Sequence, residues 1–412
     1  MKRPVSKWLL CLLMFCTSIV CLTGCWDRQE IESRALILGM AIDEAPPSEQ
    51  NSDAHSTHLS TPPSVKNKLI RLTAQIAVPG RVPLGPGTGG TGGGGAGDSA
   101  SMPVWVVQVV GHTLDDALNN LQQEIADPKT LIHLRIIIVS EAIARQGLDD
   151  INDYLRRNPE VRRSTWLLVS DVEAAKFMNV APPLERVPTL YLLGMIEKST
   201  EMGKFPGDDI GQYWSDQSKW GQNAFLPHIS IRGENNILIR GLAYFRDNRM
   251  IGATKPIEIG VYMAIKGMDP AGYSALLQVP PLGIVMTSTM ARESKINVKI
   301  RDGKPAATLK IHLEARLVEK EAEHVKVSSP ESLRLVEERL SSIVKESAEN
   351  LLTRLQKDKS DIVGFGEYVR AYKSSFWRNN IHEKSDWEDL FSRMPIEVVV
   401  DSSVRRIGLK ND

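Results

Sequence analysis

Cysteine is confined to one end of this 412-residue chain: Cys11, Cys16, Cys21 and Cys25 lie in the first 25 positions and none follows. A chain trimmed there has no thiol nucleophile and cannot staple itself with disulfides, so its fold must rest on burial of apolar surface. Net charge is absent too. Lys plus Arg and Asp plus Glu stand at 50 each, a balance that leaves no basic footprint for nucleic acid. No Gly-x-Ser-x-Gly elbow, Walker phosphate loop or His-Glu-x-x-His zinc helix occurs. The eight histidines (His55, His58, His112, His133, His228, His312, His324 and His382) are scattered, none with a metal-like companion on a regular element. These absences favour binding or assembly over catalysis and imply neither metal nor cofactor, although a triad assembled from distant positions leaves no such motif.

What is present begins at the N-terminus. Lys2, Arg3 and Lys7 precede an apolar run over residues 8–22, 15 residues long. That is short of the roughly 20 needed to span a bilayer, and no stop-transfer charges follow, so the run reads as an export signal. It ends in Leu22-Thr23-Gly24-Cys25. Small residues directly before a cysteine are what lipoprotein signal peptidase recognises once that sulfur carries a diacylglycerol. Residues 1–24 are therefore expected to be removed, leaving Cys25 as the lipid-bearing first residue of a mature chain of about 388 residues. That length exceeds what one hydrophobic core usually organises.

Residues 35–42 form an apolar run of strand length closed by Asp43, and residues 44–66 turn to Pro, Ser, Asn, Thr and His, the composition of a mobile loop. Residues 69–78 alternate apolar and polar, which predicts a strand with one buried and one wet face. Ten glycines and three prolines crowd residues 79–97. Gly87, Gly89 and Gly92 have the spacing of a dinucleotide loop, but the chain passes through Pro103 into another strand where such a loop needs a helix. A flexible insertion over residues 79–103 is the expectation. Thr113 then caps a helix, residues 136–139 and 166–169 read as strands, and Ser170 with Glu173 reads as a capping box for a helix reaching Asn179. Arg156, Arg157, Arg162 and Arg163 around Pro159 are read as a solvated rim in preference to a headgroup-binding patch.

Periodicity weakens over residues 201–231, as at a domain boundary, and Asp208-Asp209 there is read as structural, since adjacent carboxylates on irregular backbone diverge. Residues 237–251 form a hairpin around Arg246-Asp247-Asn248-Arg249. Ile296, Val298 and Ile300 alternate up to Asp302-Gly303, and Leu309, Ile311, Leu313, Ala315 and Leu317 alternate back. Ser329 and Pro330 open a helix of about 27 residues, some 40 Å long, and Ile396, Val398 and Val400 supply a closing strand. The fold class expected is α+β: three mixed α/β-type domains at 25–204, 205–282 and 283–412, with antiparallel and mixed sheets and a long helix in the last.

Several stretches, taken in order, resemble one family. The lipobox is followed by Trp26-Asp27-Arg28 and by Gly39-Met40-Ala41-Ile42-Asp43; then come Glu141 with Ala144-Arg145-Gln146-Gly147-Leu148, and Tyr154-Leu155-Arg156-Arg157-Asn158-Pro159-Glu160. Gly241-Leu242-Ala243-Tyr244-Phe245 leads a hairpin, and Asp361-Ile362-Val363-Gly364-Phe365-Gly366-Glu367, Trp377, Trp387 and Arg405-Arg406-Ile407-Gly408 close the chain. Together they resemble the Ger(x)C spore germination lipoproteins. The polyglycine insertion and the loose Pro256-Ile257-Glu258-Ile259-Gly260 depart from that pattern. The resemblance implies a C subunit of a nutrient germinant receptor with no catalytic residues, tethered through Cys25 to the outer face of the spore inner membrane beside integral A and B subunits. A lipid-anchored solute-binding protein of an importer is the alternative, which two similar lobes would mark; no internal repeat is present.

Overall fold

The computed structural model describes residues 33–49, 69–78, 103–180, 185–321 and 329–406, with Met14. Its first layer is a mixed sheet. β1 (Ala35–Glu44), β2 (Ile70–Ala77) and β3 (Val104–Gly111) pair antiparallel, while β4 (Lys129–Thr130) and β5 (Ile136–Ser140) lie parallel to β1. β6 (Trp166–Ser170) and β7 (Phe225–Arg232) extend the parallel set, and β8 (Asn236–Arg246) and β9 (Arg249–Ala253) finish the sheet as an antiparallel hairpin. Asp247 carries the positive φ of 51° in that hairpin's turn, a conformation Asp tolerates. Strands from both sides of residue 204 share this sheet.

Helices cover both faces. On one lie α1 (Leu114–Glu124), α2 (Glu141–Gln146), α3 (Asp149–Arg157) and α5 (Ile210–Gln217), whose Leu118, Ile143, Ile151 and Tyr213 pack on Ile137, Val139, Leu167 and Val169. On the other lie a 3₁₀ turn (Ala174–Met178), α4 (Pro188–Glu201) and the C-terminal half of the chain. That half holds α6 (Pro256–Lys266) and a four-stranded sheet of β10 (Ser274–Val279), β11 (Gly283–Arg301), β12 (Lys304–Lys320) and β13 (Ile396–Arg406). α7 (Pro330–Lys357) backs this sheet, its Leu351 and Leu355 joining Leu309 and Ile311 in one apolar core that runs on to Ile138 and Leu168 of the first sheet. Short helices α8 (Phe365–Tyr372), α9 (Ser374–Asn380) and α10 (Lys384–Phe391) fill the corner between. Mixed sheets covered by helices make the fold α+β.

Local expectations meet three corrections. β2 is not wet on one side: Thr73 and Gln75 have no exposed surface, because the 3₁₀ turn and α4 close over them. Gln75 Nε2 donates to Met178 O (2.8 Å) and Thr189 Oγ1 donates to Gln75 Oε1 (2.5 Å), so the Gln75 amide is buried by being paired, whereas the buried Thr73 hydroxyl has no hydrogen-bond partner among the described residues. The helix after Ser170 is only the 3₁₀ turn; the Ser170 hydroxyl turns back on Val172 and caps nothing. Residues 201–231 hold, besides the local helix expected there (α5), the interior strand β7, whose burial on both faces erases the alternation that marks a half-exposed strand.

Candidate functional site at the joint between the two sheets

Leu22, Thr23, Gly24 and Cys25 lie outside the described residues, as do His55, His58 and the polyglycine insertion. What the structure does bring together is the run beginning at Asp361 and the loop that enters β7. Asp361 and Asn223 exchange backbone and side chain: the Asn223 N–H donates to Asp361 O (2.8 Å) and the Asp361 N–H to Asn223 Oδ1 (2.9 Å). The Asp361 carboxylate, with no exposed surface, accepts from the N–H groups of Gly364 (2.7 Å) and Gly366 (3.0 Å) and from Trp387 Nε1 (3.0 Å). Further bonds flank this centre. Ser360 Oγ donates to Phe245 O (2.8 Å), Tyr244 OH to Asp358 Oδ2 (2.5 Å), Lys266 Nζ to Val363 O (2.8 Å) and Asn223 Nδ2 to Glu388 Oε1 (2.9 Å).

Backbone contact sets the closeness of this joint. A Cβ on Gly366 would stand 2.5 Å from Gly221 Cα and 2.6 Å from Trp387 Cε2, distances no real side chain tolerates. Gly364 holds φ of 86°, in the left-handed region, which turns its N–H back toward the carboxylate. Much of what the sequence presented as separate motifs is therefore one construction: the Gly241–Gly252 hairpin supplies Tyr244 and Phe245, and the Asp361 run docks against them.

The joint is rich in buried ionisable groups. Burial pushes the Asp361 carboxyl up to about 6, against the pull of the Gly366, Gly364 and Phe365 N–H groups and the Trp387 indole. Burial likewise raises Glu388 and lowers Lys266. The Asp208-Asp209 pair divides its labour: Asp209 caps α5 by accepting from the Gln212 N–H (3.0 Å), while the half-buried Asp208 is pushed up to about 7 by desolvation with repulsion from Asp216. Of the arginine cluster, Arg157 pairs with Asp153 (2.8 Å) and Arg156 lies over the Trp214 ring at 5.5 Å.

A second latch, missed in the sequence, is Arg292. It sits on β11 with 2 % exposure; Nη2 donates to Pro270 O (2.8 Å) and Gly203 O (3.1 Å), and Nε donates to Met268 O. The guanidinium thus ties the end of α4 and the 267–273 loop to the second sheet. Arg292→Met keeps the volume and strands three carbonyls, so stability is expected to fall by about 2 kcal/mol. The urea midpoint measures this, and Arg292→Lys should rescue little, because one ammonium cannot reproduce the fork.

Among the described residues no group of His, Cys, Asp and Glu could hold a metal ion, and no helix is long and apolar enough to cross a membrane. Comparison with known proteins is consistent over the whole chain. Residues 27–231 match the family described as spore germination protein N-terminal domain, and residues 240–408 match spore germination B3/GerAC like, C-terminal. The putative spore germination protein YfkR of Bacillus subtilis (strain 168) is 25% identical, the alignment covering 99% of this chain and 98% of that protein. Spore germination protein KC of the same organism is 24% identical over 99% of this chain and 98% of its own length. The crystal structure of the GerBC protein shares the fold with a TM-score of 0.54 at 15% identity, covering 82% of this chain and 94% of that one. The two halves joined at Asp361 are thus the two halves of the GerAC-type spore germination proteins, and the chain belongs to that family.

Proposed function

We propose that this protein is a lipid-anchored, non-enzymatic subunit of a nutrient germinant receptor, held on the outer face of the spore inner membrane beside integral A and B subunits. The observation that carries the reading is the family match over both halves of the chain, joined to a lipobox at Leu22-Thr23-Gly24-Cys25. A diacyl anchor supplies two chains, enough for stable attachment where a single chain is marginal. Confinement to the membrane raises the effective concentration of the folded body beside its partners, so weak interfaces suffice for assembly. A body devoted to rigid presentation also accords with a joint made of buried latches rather than an open cleft.

Deleting the gene is expected to abolish germination toward at least one nutrient while sporulation stays normal; unchanged germination toward every nutrient tested would contradict the reading. Cys25→Ala is expected to shift the protein from the membrane fraction to a soluble or signal-retained form and to reproduce the deletion. Normal lipid-dependent attachment of that variant, seen by fractionation and mass spectrometry, would remove the anchor from the account.

A further inference from the structure

The chain is neutral as a whole, but its cations are not evenly spread. The turn end of the β11–β12 hairpin packs on one face, where Ile296, Val298, Ala307 and Leu309 join the core of Phe365 and Val369. The alternate residues point the other way, and Lys295, Lys299, Arg301, Lys304 and Lys310 are all exposed there. Among the described residues none of these five side chains makes a hydrogen bond or an ion pair. Register sets like charges abreast: Lys295 stands opposite Lys310, and Arg301 opposite Lys304. Like charges directly opposed destabilise a sheet, so the arrangement carries a cost that nothing on this face relieves. Two carboxylates share this end of the face, Asp302 in the turn and Glu397 on β13, which accepts from Thr308 Oγ1 (3.2 Å). Five cations against two carboxylates leave it net positive. Glu293 and the pairs Asp401–His312 and Glu314–Arg405 bound the patch farther along the strands.

We propose that this face of the hairpin lies against the anionic headgroups of a bilayer and so sets how the folded body stands on its tether. Charge complementarity is the first ground. From Lys295 to Arg301 the cations spread over about 20 Å of an open sheet face, a layout that fits an extended anionic surface and not a small anion. Position is the second. β1, β5, β6 and β7 run parallel, so all four start at one edge of the first sheet. Asn223, just before β7, is bonded to Asp361 at that edge, and Trp387 of α10 is bonded to the same carboxylate. β13 follows α10 and opens with Ile396 opposite Ala307, three residues past Lys304. The turn end of the hairpin therefore lies toward the edge from which β1 starts. Cys25 stands ten residues before Ala35, a reach of at most about 35 Å, so an anchor there brings this edge and the basic face to the headgroups. The nearness of a bilayer rests on the lipid-anchored reading; the charge layout stands without it.

The test is trace acetylation of lysines, mapped by mass spectrometry, on the lipidated full chain reconstituted in vesicles of phosphatidylcholine alone or mixed with phosphatidylglycerol. At low salt, labelling of Lys295, Lys299, Lys304 and Lys310 is expected to slow about fivefold on the anionic vesicles relative to the neutral ones. It should return to the neutral rate in 1 M salt, where the Debye length falls to about 3 Å. Lys176, exposed just beyond the opposite end of β6, is the internal reference and should label equally on both. Lys299→Glu combined with Arg301→Glu changes only exposed positions, and it should abolish the slowing at Lys295 and Lys310 while the anchor keeps the protein floating with the vesicles. Equal labelling on the two vesicles overturns the proposal. So does slowing found only in native spore membranes, which would give the face to an acidic protein. Flotation with neutral vesicles reports the anchor separately: a chain that floats only with phosphatidylglycerol lacks the anchor and keeps this face, and one that floats with neither overturns both.

Discussion

Asp361→Ala is expected to lower folding stability by about 4 kcal/mol, the scale for removing one partner from a buried charged network. The alanine leaves the Gly364 and Gly366 N–H groups and the Trp387 indole without an acceptor in a place water does not reach. Each such orphan costs about 1–3 kcal/mol, which outweighs the relief of no longer burying a carboxylate. Denaturant unfolding followed through tryptophan fluorescence reads the loss, and a midpoint within error of wild type would show that the network does not hold the halves together.

Asp361→Asn separates charge from geometry. Because burial raises the folded-state pKa to about 6 from 3.8, the folded chain binds the proton more tightly than the unfolded one. The contribution of this group is therefore fully present below pH 4 and declines as pH rises through about 6. An asparagine does not titrate, so the stability gap between wild type and Asp361→Asn is expected to narrow by about 1 kcal/mol between pH 5 and pH 7.5. Glu388 is shifted in the same direction and contributes equally to both proteins, which makes the difference between them the cleaner measurement.

Elements with one covered face were legible in the sequence. The β11–β12 hairpin shows Ile296, Val298 and Ile300 alternating because only one face packs, and Asp302-Gly303 marks its turn with φ of 49° and 73°. α7 announces itself by Ser329, whose Oγ accepts from the Ser332 N–H (3.1 Å), and by Pro330 in its first turn. Elements covered on both faces were legible only where an unbroken apolar run marked them, as at residues 136–139 and 166–169. β7 reads as aperiodic, and α8 to α10, at seven or eight residues each, are too short to display a stripe. The joint was visible only as a run of family residues. Nothing local says that Asp361 is buried, since its partner Asn223 stands 138 positions away. Arg292, set in an alternating strand, has the look of a solvent-facing residue until the carbonyls of Gly203 and Pro270 come to meet it.

Gly366→Ala is expected to cost about 3 kcal/mol, although the same substitution in an open helix is favourable by up to about 1 kcal/mol. The residue is the second of α8, where helix propensity alone argues for alanine. Steric contact decides the sign. The added methyl would lie 2.6 Å from Gly221 O and 2.5 Å from Gly221 Cα, so it meets backbone that cannot rotate away and must push the β7 entry loop off the Asp361 run. Gly194→Ala in α4 supplies the contrast, because a Cβ there meets nothing within 4 Å. That variant is expected to be as stable as wild type or slightly more so. The pair places opposite signs on one chemical change, and the sign follows from whether two halves of the chain touch backbone to backbone. If both variants unfolded at the same denaturant concentration, the close approach of Gly221 and Gly366 would not be what holds the β7 loop in register with the Asp361 carboxylate.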